Sequence, residues 1–121
     1  MTEPRKVLVI DDDASIREVL ATILGSQGYE VLTAADGRQA LDLLRDGAMP
    51  QVILLDLMMP VMNGWAFREA MQRDAAFATI PVLVMTGDGE IAAKTARLSA
   101  AGYLRKPIAL TDLLKTVARF G

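Results

Sequence analysis

The chain has 121 residues, the size of a single unit with room for a real core. Its apolar fraction is 52%, and acids and bases nearly cancel to a formal charge of −2, which argues against a general nucleic-acid binder with its basic stripe. It has no cysteine and no histidine, which excludes disulfides, thiolate zinc sites, imidazole bases and ligands, and phosphohistidine, leaving carboxylates, lysine, hydroxyls, backbone and metals for chemistry.

In chain order, the apolar run near 6–10 predicts a strand buried on both faces, as in a parallel sheet. Ile16, Val19, Leu20, Ile23 and Leu24 then follow the stripe of a core-facing helix, with Asp13 placed to cap its start and Gly25 and Gly28 to stop it. A second strand is expected near 30–34. The helix after it is capped by Asp36 and stopped by Gly47 and Pro50. The run 51–55 predicts the third strand, and Trp65 and Phe67 open a third helix as core or partner contacts. Pro81 opens a fourth strand near 81–85, where a missing N–H is tolerated. Segment 90–100 is the weakest helix, because its apolar positions are mostly alanine. A strand near 102–104 and a helix with Leu110, Leu113, Leu114 and Val117 on one face complete the pattern. With no linker or low-complexity stretch, residues 1–121 are expected to form one domain.

Five β-α repeats predict a doubly wound α/β sandwich with a five-stranded parallel sheet and five helices. Asp11 and Asp12 follow the first strand, Asp56 the third, Thr86 the fourth and Lys106 the fifth. Strand carboxyl ends share one edge in such a sheet, and ligands bind there. Three acids, a hydroxyl and a lysine on that rim suit a divalent metal and a phosphoryl group. If the acids act together, the strand order is 2-1-3-4-5, because that order makes the first and third strands neighbours, about 4.8 Å apart. Clustered carboxylates repel unless a cation sits among them, and oxygen ligands suit Mg²⁺, with Mn²⁺ able to substitute. A flavin or nucleotide phosphate would be repelled by acids at the first strand end, where a Gly-rich loop would be needed.

These residues carry a resemblance. Asp11-Asp12, the run Asp56-Leu57-Met58-Met59-Pro60-Val61-Met62-Asn63-Gly64, Thr86-Gly87, and Gly102-Tyr103-Leu104-Arg105-Lys106-Pro107 together resemble the receiver domain of two-component response regulators, chemotaxis-regulator-like, over essentially the whole length. The resemblance implies a flavodoxin-like fold and Asp56 as phosphoacceptor, loaded by a histidine kinase or histidine phosphotransfer protein. It implies that Asp12, Asp56 and the backbone carbonyl of Met58 bind Mg²⁺, with Asp11 acting through a metal-bound water. Lys106 and Thr86 would grip the phosphoryl group, Tyr103 would turn inward as the switch, and Pro107 would be cis. The implied output is a changed face on the 90–100 helix, the fifth strand and the last helix, offered to a downstream protein. The implied activity is that of a phosphoacceptor rather than a true enzyme, with self-phosphorylation from small donors and weak autodephosphorylation.

Arg17 and Arg105 read as solvated charges, and Met58, Met59 and Met62 as packing that shields the site. Ser99-Ala100-Ala101-Gly102 departs from the family's frequent Gly-Ala-Asp-Ala, so the end of the 90–100 helix is expected to differ in shape. Met58 and Asp88 flank the route of hydrolytic water in this family. Two rival readings are an aspartate-nucleophile phosphatase of the haloacid dehalogenase type, using Asp11 and Asp13, and an unphosphorylated receiver serving only as an interaction module. Met1-Thr2-Glu3-Pro4-Arg5-Lys6 lacks the apolar stretch of a signal peptide, and no run approaches the roughly 20 residues of a membrane span. A cytoplasmic protein that meets neither membrane nor nucleic acid directly is expected.

Overall fold

A computed structural model describes residues 5–87 and 98–120. Five strands form one parallel sheet: β1 Lys6–Ile10, β2 Glu30–Ala34, β3 Val52–Asp56, β4 Val82–Thr86 and β5 Gly102–Arg105. Four helices accompany them among the described residues: α1 Ala14–Ser26, α2 Gly37–Arg45, α3 Gly64–Gln72 and α4 Leu110–Ala118. The helix expected over 90–100 falls almost wholly outside the described residues. The sheet order is β2-β1-β3-β4-β5, the order inferred from the acids. β3 and β4 begin and end one residue later than the apolar runs suggested, so Asp56 and Thr86 are the last residues of their strands.

Alternation along the central strands builds two cores. Leu8, Ile10, Ile53, Leu55, Val82 and Val84 face α2 and α3, whose Leu41, Leu44, Phe67 and Met71 close that side. Val7, Val9, Val52, Leu54, Leu83 and Met85 face α1 and α4 through Leu20, Leu24, Leu113 and Val117. Burial on both faces is why these strands read as unbroken apolar runs. Trp65 is a partly buried neighbour of the first core, and Phe67 lies inside it.

Two apolar stripes are narrower than expected. Val19, 55% exposed, and Leu110, about half exposed, point away from the sheet. Val19 instead lines a groove of about 260 Å³ between α1 and the loop after β5, together with Ser15, Ile16, Leu20, Lys106, Pro107 and Ile108. The amino-terminal caps are as anticipated, but Gly25, expected to stop α1, lies inside it. Asp13 accepts from the N–H groups of Ser15 and Ile16, and Asp36 accepts from that of Gln39. Gly28 and Gly47 follow the ends of α1 and α2 with φ of 91° and 101°, a region other residues enter at a cost. None of the described helices is long and apolar enough to cross a membrane.

Candidate phosphoryl and metal site

Sheet register assembles the rim. Ile10 pairs with Leu55, so the next residues, Asp11 and Asp56, sit side by side at the ends of β1 and β3. Asp56 pairs with Met85 and Thr86 with Arg105, which brings Thr86 and Lys106 to the same edge. The Lys106 N–H donates to the Thr86 carbonyl at 2.7 Å, extending the ladder by one step. The Lys106-Pro107 peptide bond is cis, as the resemblance implied.

The acids converge. One carboxylate oxygen from each of Asp11, Asp12 and Asp56 lies within 4.8 Å of the other two. Asp11 and Asp56 are buried and Asp12 is exposed, so the cluster is open on the Asp12 side. Lys106 reaches in from β5, its Nζ 2.8 Å from Asp11 Oδ2 and 3.7 Å from Asp56 Oδ2. Burial pushes the Asp56 carboxyl up to about 6, and the Asp11 charge adds to this. The Lys106 charge and the Met58 N–H, which donates to Asp56 Oδ1 at 3.2 Å, only partly offset the rise, and Asp12 reinforces it. Burial pulls Lys106 down, but its hydrogen bond to Asp11 and the charges of Asp56, Asp11 and Asp12 outweigh that and hold it above its ordinary value. A carboxylate held this high among other carboxylates is short of positive charge. The donor set therefore fits a hard divalent cation that takes oxygen ligands.

The connection from β3 to α3 is built by close backbone approach. A Cβ on Gly64 would lie 2.6 Å from the Asp56 carbonyl oxygen and 2.8 Å from Leu57 Cα, so no other residue fits there. The Gly64 N–H donates to the Leu57 carbonyl at 3.0 Å, and the Asn63 side chain caps α3 by accepting from Ala66 N–H. Between Asp56 and this cap, Met62 N–H donates to Pro60 carbonyl at 2.7 Å, closing a three-residue turn around Val61. Val61 has φ of 65° and is 85% exposed. This is the strained form of the γ-turn, held by packing of Met62 against Gly37 and by the Gly37 N–H to Met62 carbonyl bond of 2.9 Å. Met59 is buried and Met62 half-buried as expected, but Met58 is 71% exposed and does not shield the acids.

Residues 7–118 match the profile of the response regulator receiver domain. The chain belongs to this family. It is a receiver domain of the two-component type, as its motifs implied. It is similar to the response regulator MprA of Mycolicibacterium vanbaalenii, with 39% identity over 113 residues, covering 92% of this chain and 48% of that protein. The chain spans about half the length of the curated relatives it matches. Among solved structures it is similar to the chemotaxis protein CheY4 of Vibrio cholerae, with a TM-score of 0.90, 38% identity, and coverage of 98% of this chain and 100% of that one. A response regulator receiver protein from Pseudomonas putida has a TM-score of 0.89 at 27% identity, with coverage of 98% and 99%.

The receiver geometry leaves little room for the phosphatase reading. Asp13 is occupied as the cap of α1, outside the cluster of Asp11, Asp12 and Asp56. Tyr103 is 55% exposed and points outward from β5. Asp88 lies outside the described residues. Ser99 has φ of 53°, so the chain before β5 makes a sharp bend at the departure from the family pattern. Two arginines depart from the sequence reading, which took Arg17 as a solvated charge and did not single out Arg68. Arg17 is half-buried, and its Nη1 donates to the Asp11 carbonyl at 2.7 Å. Arg68 is buried in α3; its Nε donates to the Leu98 carbonyl at 2.8 Å and its Nη2 to the Ser99 carbonyl at 3.3 Å, and burial lowers its pKa. Both bind backbone oxygens, and no residue-type pattern records such a partner.

Proposed function

We propose that Asp56 accepts a phosphoryl group from a phosphohistidine on a partner histidine kinase or histidine phosphotransfer protein, and that the modified domain signals by changing its protein contacts. The observation that carries this reading is the convergence of the Asp11, Asp12 and Asp56 carboxylates within 4.8 Å, with the Lys106 ammonium 3.7 Å from Asp56. Asp12, Asp56 and the Met58 carbonyl would hold Mg²⁺ or Mn²⁺, with Asp11 bound through water. The ion would supply the positive charge that lets an anionic acceptor meet an anionic phosphoryl group. Asp56 Oδ attacks phosphorus in line; the O–P bond forms as the N–P bond breaks, and the imidazole leaves with its electron pair. Lys106 shifts from Asp11 toward a phosphoryl oxygen, and the Thr86 hydroxyl donates to another.

Thr86 moving toward the phosphoryl group would let Tyr103 turn inward. That shift favours a pre-existing active shape of the face comprising the 90–100 segment, which we read as the helix before β5, together with β5 and α4. We read residues 1–121 as one cytoplasmic receiver unit whose downstream target is a protein, not a nucleic acid or a membrane. Small acyl phosphates would also load Asp56, and water would slowly unload it.

Adding Mg²⁺ with acetyl phosphate or beryllofluoride tests the acceptor. The expected result is a change in Trp65 or Tyr103 fluorescence that Asp56→Asn abolishes. A mutant that responds like the wild type would remove Asp56 from the role.

A further inference from the structure

Every polar group of Asp11 is engaged. Its N–H donates to the Ala34 carbonyl at 3.1 Å, Oδ1 accepts from the Asp13 N–H at 2.9 Å, and Oδ2 accepts from Lys106 at 2.8 Å. The Arg17 bond to its carbonyl differs in what it controls. A carbonyl oxygen and the following Cα share one rigid peptide plane, so holding the oxygen sets the direction in which the chain enters Asp12. Asp12 is the exposed acid of the cluster, and no hydrogen bond among the described residues holds its carboxylate. Its aim therefore depends on the backbone that carries it. Arg17 is itself fixed in the first turn of α1, where its N–H donates to the Asp13 carbonyl at 3.1 Å.

We propose that Arg17 is a positioning residue for the cation: by holding the Asp11 carbonyl, it aims the Asp12 carboxylate at the space between Asp11 and Asp56. This rests on the acid cluster being a cation site. A contrary reading treats Arg17 as a positive charge beside a cation, whose removal would tighten binding. The two readings predict effects of opposite sign. Groups that orient metal ligands typically account for about 10–100-fold in metal affinity, and Arg17 acts at the lower end because it orients through the backbone.

The test is a double-mutant cycle with Mg²⁺ alone, read by calorimetry and by Trp65 fluorescence. Arg17→Met keeps the stem and a good helix former while removing the donor and the charge. It is expected to weaken Mg²⁺ binding roughly tenfold in the wild-type background. In the Asp12→Asn background, where there is no carboxylate left to aim, the same substitution is expected to change binding by less than about twofold. Binding as tight as or tighter than wild type in Arg17→Met overturns the proposal. So does an equal loss in both backgrounds, the mark of general loosening. A wild-type protein that takes up no Mg²⁺ would instead overturn the cation site beneath it.

Discussion

Asp56 is costly to the fold in the charged state that its proposed role requires. Its carboxyl titrates near 3.8 in an ordinary setting and is raised to about 6 here, by burial first and by Asp11 second. Between those values the unfolded chain has already released a proton that the folded protein still holds. Rising pH therefore favours unfolding across that window. The contribution of this group is fully present below an unfolded pKa of 3.8 and lost as pH passes the folded value of about 6. Asp56→Asn removes the charge without changing the shape. Without divalent metal at pH 7, the variant is expected to be more stable than wild type by about 1–2 kcal/mol, less than the full shift implies because the site opens to solvent. Near pH 4 the two should unfold together. Denaturant melts at both pH values check this, and identical midpoints at pH 7 would mean that the carboxylate is not the strained group.

The connection between β3 and α3 concentrates backbone strain beside Asp56. A β-branched residue at positive φ costs about 1–2 kcal/mol, and Val61 buries little in return, since it is 85% exposed. Val61→Asn, which enters that region more readily, is expected to add about 1 kcal/mol and raise the melting midpoint by about 4 °C. An unchanged or lower midpoint in a calorimetric scan would show that the turn is relaxed. The caps at Asp13 and Asp36 and the two-faced strands were legible because each follows from residue type and spacing alone, whereas the sheet order followed only once the acids were taken to act together. The exposures of Val19 and Leu110 were not. Periodicity identifies an apolar face but not how far its neighbours extend across it. The roles of Arg17 and Arg68 were hidden for another reason, since a guanidinium that seeks a backbone carbonyl has no partner residue to betray it. Val61 stood openly in the Asp56–Gly64 run, but its φ depends on how Met62 packs against Gly37.

The site joins the ends of four of the five strands, β1, β3, β4 and β5, so a cation bound there should act on global stability. Any ligand that binds only the folded state stabilises it, by about 1.4 kcal/mol at ten times its dissociation constant. Mg²⁺ is therefore expected to raise the melting midpoint of the wild type, EDTA to reverse the gain, and Asp12→Asn to lose most of it. A midpoint indifferent to Mg²⁺ would count against the cation site. The same geometry has a consequence for the birth of the protein. Lys106 meets Asp11 across 95 residues of sequence. Asp11, Asp12 and Asp56 leave the ribosome long before their lysine does. A nascent chain can form its acid cluster and still lack the cation that its own fold supplies. Under the proposed function, competence therefore waits on a residue from the far end of the domain, and a copy truncated before Lys106 is expected to load poorly from acetyl phosphate.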